Sequence, residues 1–387
     1  MAENMKIGAQ RLSQQADDGP ALLVMFPGPT YRIEQAYAIR FGGLSRQFRV
    51  AVITSGPSHK QARFGDVDVT VTPDRGTKVF LWRLRYVTAA LRTARALFQG
   101  TRKRLVVTYD PMMTGIIGFM VARLFGAKFI CELNGDYADD ANYMNIENPL
   151  LRRLNKAKNV MVARFVLRHC DGIKLLHGQQ LSSLNVRPNG RRLAIYSSYV
   201  PIERFTDLGE EFEILLVGFP FHVKGVDVLL AAFRRISAQH PDWRLTVLGH
   251  YPDRQLLDAA IGDHPKVTVK KPVGSKIPEV IGRCGIFVLP SRTEGLGRVL
   301  LEAMAAGKPR IGSSVGGIPT IIEDGVDGLL VPPGDVDALA EALDTLMGSK
   351  ELRQRLGSAG QRRALNEFSS AEYFRKSAEF YDSVLDG

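Results

Sequence analysis

With 387 residues, 45% hydrophobic and 24% charged, the chain has the length of two domains and the composition of an ordinary soluble globular protein; its best membrane-span candidate, Met112–Phe125, is too short and carries Arg123. The three cysteines, Cys131, Cys170 and Cys284, are too scattered for a disulfide framework or a metal knuckle, and they fit a reducing cytoplasm. The net charge of +11 lies wholly in the first half: residues 1–208 hold 30 Lys and Arg against 16 Asp and Glu, and residues 209–387 hold 21 against 24. That asymmetry asks for an anionic partner on the first half: a membrane surface, a phosphorylated acceptor or nucleic acid.

Residues 1–18 are polar and mixed in charge, without the apolar core of a signal segment, and read as a disordered lead-in. Leu22–Phe26 reads as a buried strand, with Pro27-Gly28-Pro29 turning at its C-terminal end. A helix is expected from about Glu34 to Leu44, then strands over Arg49–Thr54 and Val67–Val71, the second alternating as a strand nearer an edge does. From Phe80 to Phe98 the apolar residues recur at helical spacing, and Arg83, Arg85, Arg92 and Arg95 decorate the helix. Leu105–Tyr109 is a strand, Pro111–Phe125 a mostly apolar helix, and Lys128–Leu133 a strand running into the polar turn Asn134-Gly135-Asp136. Pro149–Cys170 is a long helix and Asp171–Leu176 a short strand. Neither basic helix, 80–104 or 149–170, contains an acid. Strands alternate with helices, so the first half is a parallel, doubly wound α/β domain.

Arg187–Gly209, rich in Pro, Asn, Gly and Ser, reads as the linker. The pattern restarts with the strand Glu213–Val217, the loop Gly218–Gly225 containing Lys224, the helix Val226–Gln239 and the strand Arg244–Leu248. A helix near Arg254–Ile261, a strand at Val267–Val269 and a helix over Lys276–Arg283 follow. The buried strand in Gly285–Pro290 then enters a glycine loop and a helix with Val299, Leu300, Ala303 and Met304 on one side, stopped by Gly307 and Pro309. Beyond it lie a strand at Arg310–Gly312, a Gly316-Gly317 turn into a short helix around Thr320–Ile322, and a strand at Gly328–Pro332. Asp335 caps a helix over Val336–Met347, and helices over Glu351–Phe368 and Ala371–Leu385 close the chain.

Ligands of open α/β sheets bind outside the C-terminal strand ends. Gly28, Asn134 to Asp136, Gly218, Gly249, Glu294 and Gly317 fall at such ends. The strand, glycine loop and helix N-terminus around Gly295 and Gly297 aim backbone N–H groups at an anion or polyol. Glu294 and Glu302 lie at opposite ends of this unit and offer paired acceptors for vicinal diols; Lys224 offers charge for a phosphate. Together these suit a nucleotide sugar. Each feature also has a plainer reading, as turn glycines, solvated glutamates and a loop lysine. The basic helices also fit plain solvation, against which the complete lack of acids over both stretches weighs. His177, His222 and His250 sit at loops without metal-ligand spacing. No phosphate-binding P-loop is present, and no Gly-x-Gly-x-x-Gly opens the first domain.

The run from Glu294 through Glu302 to Pro309, with Gly316–Pro319 and Gly328–Asp335 downstream, resembles the GT4-type retaining glycosyltransferases of the GT-B fold. Val217-Gly218 through Lys224–Leu230 matches a further block, and Tyr199–Phe205 resembles the interdomain stretch. The likeness covers most of 199–347; over the first domain it rests on the α/β pattern and on Asp171-Gly172-Ile173. It implies two Rossmann-like parallel-sheet domains facing a central cleft, with the C-terminal helix, 371–387, returning to the first domain. It sets an acceptor-side domain at 19–208, with the linker near 187–208, and a donor domain at 209–370. By resemblance, Glu294 holds donor-sugar hydroxyls, Glu302 the ribose diol and Lys224 the diphosphate; Gly218, Phe219, Gly295, Leu296, Gly297, Arg298 and Val299 complete the donor site. Gly28, Asn134, Gly135 and Asp136 lie on the acceptor side. Three positions depart from the family pattern. Phe219 stands where an arginine is usual, so one diphosphate contact is missing or comes from Arg298 or His222. Asn134-Gly135 replaces a common His-Gly, and an Asn takes up no proton. The first-domain glycine loop is reduced to Pro27-Gly28-Pro29.

The expected function is transfer of a hexose-type sugar from a UDP- or GDP-sugar, with retention and without a metal or other cofactor. The acceptor is a lipid-linked or membrane-proximal glycan, reached from the cytoplasm on an anionic membrane met by the basic helices near 80–104 and 149–170. The alternatives are a nucleotide-sugar 2-epimerase of the same architecture and a basic nucleic-acid-binding protein. The second suits the basic helices poorly, because they lack interleaved aromatics suited to base stacking, apart from Trp82 and Tyr86.

Overall fold

The computed structural model describes residues 19–26, 40–73, 79–144, 146–249, 261–262, 264–271 and 274–387. Gly28, most of the helix expected at 34–44, His250 and all but the last residue of the helix expected near 254–261 lie outside them.

The first domain contains β1 (Ala21–Met25), β2 (Arg49–Gly56), β3 (Lys60–Phe64), β4 (Val67–Pro73), α1 (Val79–Leu97), β5 (Arg104–Thr108), α2 (Met113–Phe125), β6 (Lys128–Glu132), α3 (Pro149–His169), β7 (Gly172–Leu175), α4 (Gln180–Ser183) and β8 (Arg192–Ile195). The second contains β9 (Glu213–Val217), α5 (Val226–Ile236), β10 (Arg244–Leu248), β11 (Val267–Lys270), α6 (Ile277–Arg283), β12 (Ile286–Leu289), α7 (Arg298–Ala305), β13 (Arg310–Ser313), α8 (Ile318–Ile321), β14 (Leu329–Val331), α9 (Val336–Gly348) and α10 (Lys350–Glu367). The last helix is α11 (Ser370–Leu385).

The first sheet has eight strands in the order β3-β4-β2-β1-β5-β6-β7-β8, and the second six in the order β11-β10-β9-β12-β13-β14. Central strands such as β1 and β12 are apolar throughout and buried on both sides, because helices cover both faces of a parallel sheet. β3 departs from the expected all-parallel pattern: it pairs antiparallel with β4. Its Lys60, Gln61 and Arg63 give no apolar run to read, and charge on an edge strand discourages pairing with another chain. β8, which pairs in parallel with β7, falls inside the stretch read as linker; it is short, and Leu193 and Ile195 are exposed at the sheet edge.

Local caps agree with the fold. Asn148 accepts from the amides of Leu150 and Leu151 to start α3, and Asp335 accepts from Asp337 and Ala338 to start α9. Each sheet carries an apolar cluster on both faces. The cluster beneath the first sheet is completed by α11, whose Tyr373, Phe380 and Tyr381 pack against Phe48, Val107 and Ile130. The C-terminal helix therefore crosses back and closes the first domain. It also meets buried polar groups there: Tyr381 donates to Glu132 at 3.2 Å, and Glu132 faces Lys174 at 3.7 Å, both side chains fully buried. Burial outweighs the glutamate and lowers the Lys174 ammonium to about 8.

Candidate functional site

Strand order reverses direction at one point in each sheet: between β1 and β5 in the first, and between β9 and β12 in the second. Chain leaving the sheet on either side of such a point diverges and opens a crevice. The two crevices face one another. Phe26, just past β1, stacks on Tyr109, just past β5, with ring centroids 4.0 Å apart. Glu294 to Arg298, just past β12, lie opposite, and a cavity of about 270 Å³ between the domains is lined by both sets together with Arg40, Asn134, Leu176 and Ser198.

The glycine loop is built by backbone contact. Gly316 has φ +52°, and a Cβ there would lie 1.7 Å from the Glu294 carbonyl oxygen. A Cβ on Gly317 would lie 2.3 Å from the Gly295 carbonyl oxygen. The turn after β13 thus presses directly on the loop that carries Glu294, which only glycine permits. Gly218 serves a different purpose: its bare Cα lets the stem of Lys224 pass, with Lys224 Cγ 2.9 Å from where a Cβ would stand.

Lys224 Nζ reaches Glu294 Oε2 at 2.5 Å, both side chains more than four-fifths buried. The lysine loop and the glutamate loop are also joined by Arg292, which binds both carboxylate oxygens of Asp227 at 2.8 and 2.7 Å and donates to the His222 carbonyl at 2.7 Å. Burial acts to raise Asp227, but the Arg292 hydrogen bonds overcome it and hold the carboxyl below its ordinary value. His222 Nδ1 lies 3.8 Å from Asp227, so this histidine belongs to that cluster. Phe219 is 48% exposed.

At the start of α7, Gly297 adopts φ +81° and Arg298 is the first helical residue. Leu296 is buried in the domain core, so it offers the cleft only its backbone, and Val299 packs partly against the same cluster. Glu302 follows one turn after Arg298, half-buried. Desolvation pushes its carboxyl up to about 7 against the pull of Arg298 and Arg204.

Arg40 was not legible in the sequence as a site residue. Its guanidinium lies over the Tyr109 ring at 4.4 Å and the Phe26 ring at 4.8 Å, and its buried Nε has no hydrogen-bond partner among the described residues. Desolvation, then the like charge of Arg40, lowers the Arg298 guanidinium, with Glu302 opposing. The cleft therefore sets cations from both domains against backbone N–H groups at a helix start, an environment made for an anion.

On the first-domain side, Asn134 is held at both ends of its amide: its Nδ2 donates to the Tyr109 carbonyl at 2.9 Å and its Oδ1 accepts from Ser198 Oγ at 2.8 Å. It ties the ends of three strands together and lines the cavity. The Gly135 carbonyl accepts from Gln180 at 3.1 Å; Asp136 caps the following turn through Ala138 and accepts from Ser183, so neither side chain nor carbonyl is idle. His177, at the tip of β7, is buried, and burial lowers its imidazole below the ordinary value. Among the described residues no cluster of three His, Cys, Asp or Glu has metal-binding geometry. Tyr109, Leu176 and Ser198 join Arg40 as lining residues unread in the sequence. Their one signal was position, each at or just beyond a strand end.

Residues 203–363 match the family model for glycosyl transferases group 1, so the second domain is a domain of that family. The exopolysaccharide phosphotransferase SCO2592 of Streptomyces coelicolor is 40% identical over 139 residues, 35% of this chain and 15% of its own length. The capsular polysaccharide biosynthesis glycosyltransferase CapM of Staphylococcus aureus is 29% identical over 182 residues, 46% of this chain and 48% of its own. The match thus spans less than half the length of these curated relatives. Among solved structures, the sucrose-phosphate synthase of Thermosynechococcus elongatus superposes with a TM-score of 0.76 at 18% identity, covering 95% of this chain and 99% of that one. Anabaena Alr3699/HepE, in complex with UDP and glucose, gives 0.69 at 17%, covering 93% and 99%. The fold is GT-B.

Proposed function

We propose that this chain is a retaining glycosyltransferase that moves a hexose-type sugar from a UDP- or GDP-sugar to a lipid-linked or membrane-proximal glycan acceptor. The carrying observation is the convergence of both crevices on one cavity, with the Lys224–Glu294 pair beside it and Arg40 and Arg298 within its walls. Glu294 accepts from hydroxyls of the donor sugar, and Glu302 from the ribose diol. Lys224 then exchanges its partner, leaving Glu294 for the diphosphate. Arg298 and Arg40 supply the cationic contact that Phe219 lacks.

In the transfer, the anomeric carbon–oxygen bond to the diphosphate breaks as the acceptor hydroxyl attacks from the same face. The acceptor proton passes to the departing phosphate oxygen, so no enzyme nucleophile is needed. Lys224, the arginines and the N-terminal amides of α7 stabilise the charge that grows on the diphosphate, the task a divalent cation performs elsewhere. Asn134 positions the cleft floor and takes no part in proton transfer. The acceptor enters from the side of Asn134 to Asp136. The residue 19–208 domain then serves the acceptor and 209–370 the donor. We place the enzyme in the cytoplasm, peripheral on the inner face of the membrane, with the basic helices near 80–104 and 149–170 toward anionic lipid.

A thermal-shift screen against nucleoside diphosphates and nucleotide sugars identifies the donor by the stability that binding adds. Transfer assays with that donor should then lose activity in Lys224→Ala and Glu294→Ala with folding retained; normal turnover in either refutes the assignment. Change of the sugar's configuration without any acceptor would mark an epimerase instead.

A further inference from the structure

We infer that the outer face of α1, α2 and α3 rests on an anionic lipid bilayer, with apolar side chains of α2 and α3 entering the headgroup layer. The inference builds on the membrane-proximal reading above and adds an apolar anchor to its basic helices.

Ten of the eighteen large apolar side chains exposed among the described residues lie on these three helices. On α2 they form one stripe at four-residue spacing: Ile116, Met120 and Leu124 are 37%, 53% and 67% exposed. The opposite side of the same helix buries Ile117 and Val121, so the helix is apolar on both its inner and outer faces. On α3, Leu150, Leu154 and Met161 are exposed, and only Ala163, Val166 and Leu167 of its 21 residues are buried. Exposed apolar side chains aligned in rows, rather than scattered singly, mark an interaction surface.

Charge selects the occupant. The three helices hold eleven Lys and Arg and no Asp or Glu. A second copy would bring one half of net charge +14 against another, since residues 1–208 carry 30 basic and 16 acidic groups. Nucleic acid would answer the charge but leave the Leu and Met rows wet. A bilayer carrying acidic headgroups answers both. No helix among the described residues is long and apolar enough to cross a membrane, and α2, at 13 residues, is about 20 Å long, so these helices lie in the interface plane. The face also reaches the cleft, because the segment from Asn134 to Asn148 runs from the cavity wall to the start of α3 and exposes Met144 on the way.

The test is co-sedimentation of the full chain with vesicles of phosphatidylcholine alone and of phosphatidylcholine mixed with phosphatidylglycerol. A triple variant, Leu124→Ser, Leu154→Ser and Met161→Ser, keeps every charge and alters side chains that are each more than half exposed. We expect binding to the mixed vesicles only, weakened by salt, and at least about tenfold weaker in the variant. Unchanged binding by the variant would overturn the anchor, and equal binding to both vesicle types would overturn the anionic selection. A wild-type dimer that the variant dissolves, without vesicle binding, would make the face a self-contact and overturn the proposal. A nucleotide-induced thermal shift, expected to be the same in both proteins, separates this inference from the transfer reading: vesicle binding without that shift keeps the anchor and removes the donor site, and the shift without vesicle binding does the reverse.

Discussion

Glu302 gives the donor-site reading a quantitative consequence. Desolvation holds its carboxyl at about 7, so near neutral pH about half the molecules carry it protonated. Both of its oxygens accept strongly from a ribose diol only in the carboxylate, because the neutral form turns one oxygen into a donor. Binding therefore favours the ionised form and expels the proton. If the bound diol returns the group to its ordinary value near 4.5, affinity rises roughly 20- to 30-fold from about pH 5.5 to pH 8, and about half a proton is released at pH 7. A nucleotide sugar is the ligand of choice, because its diphosphate has no group titrating near 7. Calorimetry at pH 7 in buffers of different ionisation enthalpy counts the protons, with Glu302→Gln as the control. That variant should release none through this group and show a flatter pH profile. Equal proton release by wild type and variant would refute the assignment of Glu302 to the ligand. Stability has the opposite sign: the folded chain keeps the proton that the unfolded chain loses, so stability falls as pH rises from about 4.5 to about 7, by at most about 3 kcal/mol. Glu302→Gln should remove that fall from the melting profile.

Three further outcomes follow from the same geometry. Arg310 is fully buried against Asp327 at 3.0 Å, and Asp327 also holds Arg363 at 2.8 Å, so Asp327→Ala strands a buried cation and should cost roughly 3–5 kcal/mol in denaturant unfolding. Lys174→Met removes the buried cation that faces Glu132, and should lose a similar roughly 3–5 kcal/mol, loosening α11 as read by hydrogen exchange. Gly316→Ala cannot keep both its backbone angle and the Glu294 carbonyl where they are; donor binding should weaken by at least about tenfold while the melting temperature shifts by only a few degrees.

The alternation of strand and helix, the loop carrying Glu294, the cap at Asp335 and the basic helices were all legible along the chain, because each depends on neighbours within a few turns or strand steps. The same locality explains the omissions. β3 has no apolar run, and β8 is a short edge strand, so neither raises the periodic signal above that of a loop. Lys224 and Glu294 could be nominated separately, but their contact at 2.5 Å depends on two glycine turns bringing distant loops together.

By itself, the sequence determined the α/β class, the place of the glycine loop that carries Glu294 and the charge imbalance, since composition and spacing carry those directly. Only the tertiary structure decided that Arg40 and Arg298 face the same cavity, that Asn134 is held by Tyr109 and Ser198, and that α11 completes the first domain's core. It also decided which apolar side of α2 faces away from the core. Ile117 and Ile116 are the same residue type one position apart, and the packing of a helix against its sheet buries one and exposes the other.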